Sequence, residues 1–378
     1  MKIPVYRLPF SDADISFIKD NIEAALRSGY LTDGGPLVKQ FEDNWSDFIK
    51  CKNSVAVNSC TTGLEAVLSA VGVSGKSVIV PNYTFYASPM SVINEGGRVI
   101  FSDISKDTLS ITLESIKKSV RDDTVAVMIV HVGGIISHEI VQIKEYCDNN
   151  NLILIEDAAC AAGSTYKGKH AGTFGHAGVF SFHHSKILTT GEGGMVCTGD
   201  DKLADKIRRI RAIGLDRSIN NWEVFRQGSN YKISEITAAL GLQQVKSARK
   251  IIDERRNVAE YYDTNIAWCN GVSLFKISND VKSSYYKYII RVDEKWKKDT
   301  IKNRLREEFE ILLPPNVYDY NCHMHNFSSH ELVLNSNSYF PSSEYMIDHH
   351  FCLNMYNGLA PEEVKYIVDS LNSVIENL

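Results

Sequence analysis

Several features that would assign this chain to a familiar class are missing from it. No uninterrupted apolar run reaches the ~18 residues that cross a bilayer, and the start, Met1-Lys2-Ile3-Pro4-Val5-Tyr6-Arg7, has neither the apolar core nor the cleavage site of a secretory signal. A membrane partner is therefore not expected. The eight cysteines are scattered without a Cys-x-x-Cys pair, which points to reduced thiols in a cytoplasm rather than a disulfide frame. Positive charge is in deficit: with 41 Lys and Arg against 46 Asp and Glu, the net charge of -5 offers no field for a phosphate backbone, so nucleic acid is not expected either. No Gly-x-Gly-x-x-Gly follows a strand-like run, which removes the main support for a dinucleotide fold. Gly163 to Lys169 imitates a nucleotide-binding phosphate loop, but His170 stands where a Ser or Thr would hold magnesium and no helix pattern follows. His323-Met324-His325 and His349-His350 lack a set of carboxylates or thiols at ligand spacing, so no metal is expected.

What is present is an alternation. Apolar runs at Ser54–Val57, Val78–Val80, Val99–Asp103, Val125–Val130 and Leu152–Ile155 alternate with helix-like segments such as Leu113 to Val120 and Glu139 to Cys147. Strand and helix in turn predict an α/β chain built on a parallel, doubly wound sheet. At 378 residues the chain exceeds what one core usually serves, and two units are expected: a large domain over 1–244 and a smaller α+β domain over 245–378. Ile15, Ile18, Ile22 and Leu26 lie at helical spacing after Ser11 or Asp12. Asp216 to Gln227 reads as loop. A last helix opens at Pro361, with Val364, Ile367, Leu371 and Ile375 on one face.

Chemistry concentrates between Asp157 and Met195. A strand buried on both faces ends in Glu156-Asp157, and the carboxylate at such an end points into the crevice where open α/β sheets bind ligands. Lys186 follows a short strand-like segment and precedes Thr190-Gly191-Glu192-Gly193-Gly194. A lysine that attacks an aldehyde and an acid that keeps a pyridine nitrogen protonated are what a pyridoxal phosphate (PLP) site requires. Taken singly, the two residues also suit a surface lysine and a helix cap. The turn Asn58-Ser59-Cys60-Thr61-Thr62 leads into a helix whose free N–H groups suit a phosphate, held by Thr61 and Thr62 with the Ser181 hydroxyl across the cleft; an ordinary Ser or Thr N-cap reads the same way. Phe85 follows a strand end, where a ring serves either a flat cofactor or the core. His131 reads as a pocket residue or a satisfied structural histidine.

Glu156-Asp157-Ala158-Ala159, Tyr166-Lys167-Gly168-Lys169-His170, Ser181-Phe182-His183, Lys186 and Thr190 to Gly194 stand in an order and spacing that resembles the DegT/StrS family of PLP-dependent sugar aminotransferases. The resemblance implies the aspartate aminotransferase-like fold (fold type I), with a mostly parallel seven-stranded sheet. It implies Lys186 and Asp157 as catalytic residues and Phe85 stacked on the PLP ring. It places Asn230, in Gly228-Ser229-Asn230-Tyr231, on the cofactor phosphate of a partner subunit, so that a homodimer shares its active sites. An L-glutamate donor and a nucleotide-linked keto-sugar acceptor are expected, in amino-sugar and polysaccharide biosynthesis, with the cofactor alternating between PLP and its amine form (PMP). A cyclitol or a small phosphorylated ketone as acceptor, and a PLP-binding protein without turnover, are the alternatives. Relatives with histidine in place of the lysine act as dehydratases; the lysine in register here favours amino transfer. Two departures stand out: Cys160 where Gln or His is usual beside the cofactor's phenolic oxygen, and Cys60 where glycine is usual. The substrate-side segment Leu313-Pro314-Pro315-Asn316 also matches less closely.

Overall fold

A computed structural model describes residues 1–8, 10–32, 35–215, 224, 228–269 and 271–378. All but one residue of the expected loop Asp216 to Gln227 lie outside the described residues. The strands are β1 (Asn53–Val57), β2 (Ser77–Pro81), β3 (Arg98–Ser102), β4 (Thr124–Val130), β5 (Ile153–Asp157), β6 (Thr165–Tyr166), β7 (Lys169–His170), β8 (Ala177–Ser181), β9 (Gly194–Thr198), β10 (Val272–Leu274), β11 (Val281–Lys282), β12 (Tyr288–Val292) and β13 (His350–Leu353). Helices α1 (Asp12–Ser28), α2 (Pro36–Ile49), α3 (Cys60–Val71), α4 (Ala87–Asn94), α5 (Leu113–Ser119), α6 (Ile140–Asn149), α7 (Asp201–Arg211), α8 (Glu235–Asn265), α9 (Lys295–Phe309), α10 (Pro341–Asp348) and α11 (Pro361–Glu376) surround them.

Seven strands form the main sheet in the order β1-β9-β8-β5-β4-β2-β3. From β8 across to β3 every neighbouring pair is parallel; β9 alone runs against both β8 and β1. The parallel, doubly wound sheet expected from the alternation is therefore present, with one reversed strand. Its reason is local: only the segment from Phe182 to Gly193 joins β8 to β9, with no helix to carry the chain back. Successive side chains of a strand point to opposite faces, and here both faces are apolar. On β4, Val127 and Ile129 join the cluster under α2, α6 and α8, while Ala126 and Met128 join the cluster under α3 and α7.

Thr165 to His170, the phosphate-loop look-alike, is a two-stranded hairpin. Lys167 and Gly168 both take positive φ, 49° and 81°, as a tight turn between twisted strands requires. In α1, Ser11 caps the helix, but the face turned to α8 is that of Phe17, Ile22 and Ala25, leaving Ile15 and Leu26 exposed. The first turn of α2 is capped from afar: buried Glu235 accepts the N–H groups of Leu37 and Val38 at 2.7 and 3.1 Å.

A third apolar cluster gathers α9, α11 and the antiparallel β10-β12-β13 sheet, and Val364, Ile367, Leu371 and Ile375 are buried in it as the spacing predicts. The division expected at 244/245 falls inside α8, whose Ala259 and Tyr262 belong to this cluster, as does Ile3 from the start of the chain. Among the described residues no helix is long and apolar enough to cross a membrane.

Candidate active site

The chemistry-bearing residues come together where the parallel strands end. Asp157 is the last residue of β5, Ser181 the last of β8, and the β8–β9 connection carries Lys186. All three line one cavity of about 510 Å³, closed on the other side by residues 314–318, Tyr286 and Met355. Gly194 sets how tightly this end is built: a Cβ there would come within 2.6 Å of the Ser59 carbonyl, so only glycine lets β9 approach the start of α3.

Asp157 is 5 % exposed and both its oxygens are occupied. Ser88 Oγ donates to Oδ2 at 2.7 Å, and the Ala159 N–H donates to Oδ1 at 3.1 Å. Ser88 Oγ lies 2.9 Å from Thr84 Oγ1, which extends the support. A carboxylate fixed by two donors presents its remaining lone pairs in one direction.

Lys186 Nζ donates to Cys160 Sγ at 3.4 Å and stands 4.5 Å from the centre of the Tyr286 ring. Burial pushes its pKa down, but Cys160, Tyr286 and Asp157 together outweigh burial and hold it above the usual lysine value. Burial in turn pushes the Cys160 thiol up, against the pull of Lys186.

The helix start divides the two expected threonines. Thr61 lines the cavity. Thr62 is turned back: its hydroxyl donates to Asn58 Oδ1 at 2.6 Å, and its N–H donates to Ser59 Oγ at 3.1 Å. Ser59 is thus an N-cap, and the N–H groups of Cys60 and Thr61 remain without an intrahelical acceptor. The N-cap reading of this turn is met by Ser59. Cys60 lines the cavity and lies 3.8 Å from the Val179 carbonyl.

Phe85 lines the cavity with its ring half exposed, 4.1 Å from Tyr86, so it is not part of the core. Asn230 is exposed and outside this chain's cavity; its carbonyl accepts Asn58 Nδ2 at 3.2 Å, which ties it to the entry of α3. His131 is structural: wholly buried, it meets Glu156 Oε2 at 2.7 Å, while Glu156 accepts the N–H groups of Gly172 and Gly175. Among the described residues no three metal-ligating side chains gather.

Residues 13–372 match the model of the DegT/DnrJ/EryC1/StrS aminotransferase family. The chain belongs to this family. It is 30% identical over 374 residues to the GDP-perosamine synthase of Vibrio cholerae, covering 98% of each chain. Among solved structures, it superposes with a TM-score of 0.89 on the aminotransferase TlmJ from Streptoalloteichus hindustanus, at 27% identity over 99% of both chains. Bacillus subtilis NtdA with bound PMP superposes at 0.90, with 25% identity over 99% of this chain and 85% of NtdA. The protein is accordingly an aminotransferase of fold type I.

For this family member, sequence reasoning missed Ser88, Tyr286 and Tyr318. Ser88 sits in α4 with no spacing signal. Tyr318 lines the cavity and packs edge-on against Tyr83 at 5.2 Å, while the Tyr83 hydroxyl lies 3.3 Å from His350 Nε2. Each belongs to a segment far from 157–195 in sequence, and only folding brings it there.

Proposed function

We propose that this protein transfers an amino group from L-glutamate to a keto-sugar carried on a nucleotide, for amino-sugar and polysaccharide biosynthesis, with PLP as the resident group. The carrying observation is that Lys186 and Asp157, brought by different strand ends, line one cavity. The donor set suits PLP on chemical grounds. An acceptor-only carboxylate matches a pyridinium N–H. The open N–H groups at the start of α3, with the Thr61 and Ser181 hydroxyls, match a phosphate. The half-exposed Phe85 ring matches a flat heterocycle, and an amine inside a 510 Å³ cavity matches an aldehyde. PLP when bound supplies the electron sink that allows a carbon–hydrogen bond beside nitrogen to ionise.

The chain's own residues do the rest. Lys186 would hold the group, and its amine, once free, would take the proton from the donor's α-carbon and return it across the intervening nitrogen. Asp157, braced by Ser88 and Ala159, holds the ring nitrogen protonated. Residues 314–318 and Met355 shield the site from water on the acceptor side. The nucleotide-sugar acceptor follows the kinship with GDP-perosamine synthase. Asn230, exposed and away from its own cavity, is assigned to the phosphate of a partner subunit's site in a homodimer. Eight free cysteines suit a reducing cytoplasm.

The test is direct. Holoprotein should be yellow, glutamate should bleach it, and borohydride followed by peptide mapping should find the reduced cofactor on Lys186. Lys186→Ala should lose that attachment and turnover; full transamination by this variant rules the reading out.

A further inference from the structure

A carboxylate-bearing donor needs a fixed positive charge near the reacting amine. No arginine lines the cavity among the described residues; its basic side chains are His183, Lys186 and Lys287. Lys186 is committed to the cofactor. His183 is a poor anion anchor: its Nδ1 takes the Ser185 N–H at 3.3 Å, which directs the ring proton to Nε2, 3.8 Å from Glu192. Burial and the neighbouring His184 also hold its pKa below the usual histidine value.

Lys287 remains. Its ammonium has no carboxylate partner among the described residues and makes one hydrogen bond, to the Pro315 carbonyl at 3.1 Å, which leaves two N–H groups. It faces the same ring as the catalytic lysine: Nζ of Lys186 lies 4.5 Å, and Nζ of Lys287 5.5 Å, from the centre of Tyr286. The backbone there is set by a clamp. Buried Arg255 donates to the carbonyls of Tyr285 at 2.8 Å, Tyr286 at 3.2 Å and Met355 at 2.8 Å, holding Tyr285 at a φ of 50°. The Lys287 N–H then bonds the Gly133 carbonyl before β12 begins. A lysine on so constrained a backbone is displayed toward one place.

We propose that Lys287 anchors a carboxylate of the amino-acid donor, a role that rests on the aminotransferase reading and adds the recognition of its first substrate. Wild-type holoprotein and the variants Lys287→Gln and Lys287→Arg are titrated with L-glutamate without acceptor, following the loss of yellow absorbance. Calorimetry with glutarate, which has the carboxylates but no amine, reads binding without turnover. Lys287→Gln should weaken both ligands roughly ten- to hundred-fold, with Lys287→Arg recovering most of the loss and the starting spectrum unchanged. L-Alanine distinguishes the two carboxylates: a matching loss assigns the contact to the α-carboxylate, and a loss confined to glutamate assigns it to the side chain. Unchanged glutamate and glutarate affinity in Lys287→Gln, or a loss confined to the keto-sugar, overturns the proposal alone. Wild-type holoprotein that glutamate fails to bleach overturns the glutamate-donor reading and this inference with it.

Discussion

His350 gives the sharpest prediction, because its protonation is fixed by geometry. The ring is wholly buried; Nδ1 lies 2.5 Å from the Met346 carbonyl, which can only accept, and Nε2 lies 3.2 Å from the Val317 N–H, which can only donate. The neutral ring with its proton on Nδ1 satisfies both, and a second proton would face the Val317 N–H. Burial therefore pulls the pKa down from 6.5 to about 4, with Lys298 and Lys302 adding to the shift and the Met346 carbonyl and Asp319 opposing it. In the unfolded chain the same ring protonates near pH 6.5. A depressed folded pKa means that the contribution to stability is complete above pH 6.5 and is lost as pH falls toward 4. Linkage puts the loss at about 2 kcal/mol by pH 5 and about 3 kcal/mol by pH 4. His350→Gln cannot titrate. In urea unfolding at pH 7.5, 6 and 5, the stability gap between wild type and variant should narrow by about 2 kcal/mol over this range. A gap that stays constant with pH refutes the assignment. Because Val317 lines the cavity, the KM for the keto-sugar should rise over the same interval in wild type.

Arg255 is 5 % exposed, and burial lowers its pKa to about 10; among the described residues it binds only carbonyls and the Asn357 side chain. Arg255→Met strands the carbonyls of Tyr285, Tyr286 and Met355 and should cost about 3–5 kcal/mol in denaturant unfolding, with a larger loss in kcat than a surface Arg→Met control. Glu235→Ala removes the acceptor for two N–H groups at the start of α2 and should cost about 2–4 kcal/mol. Gly35→Ala, whose Cβ would sit 2.3 Å from Glu235 Cδ, should show much less than additive loss when combined with it, which a double-mutant cycle checks. Cys160→Gln replaces a weak hydrogen-bonding thiol with a strong one and should slow cofactor loss on dialysis several-fold; loss at the wild-type rate would mean that the thiol is no deficiency.

The sheet was legible because strands buried on both faces must be uninterrupted apolar runs, and β2, β4 and β5 are such runs. That Lys186 and Asp157 meet at one cavity was legible because a strand end and a glycine-rich turn announce themselves locally. The helix α1 and its Ser11 cap were legible, but not the face it buries, because periodicity does not name a helix's neighbour: α8 meets Phe17, Ile22 and Ala25, and Ile15 and Leu26 stay exposed. Ser88, Arg255 and His350 escaped because each acts on segments distant in sequence, Ser88 on Asp157, Arg255 on Tyr285 and Met355, and His350 on Val317.

The cavity walls show the same division in chemical terms. The wall made by strand ends and the start of α3 carries Asp157, Ser181 and Thr61, whose positions follow from the hydrogen-bonded sheet and so track motifs in the chain. The opposite wall, Pro314, Pro315, Val317 and Tyr318, belongs to irregular backbone steadied at single points, by Lys287 on Pro315 and by His350 on Val317. Such backbone can change without disturbing the sheet, and in the proposed reaction it is assigned to the acceptor. On the proposed function, the residues assigned to the cofactor stand in short motifs, and those assigned to the acceptor stand in the loop that matches the family less closely. Substitutions at 314–318 should accordingly alter the KM for the keto-sugar while leaving the glutamate half-reaction intact.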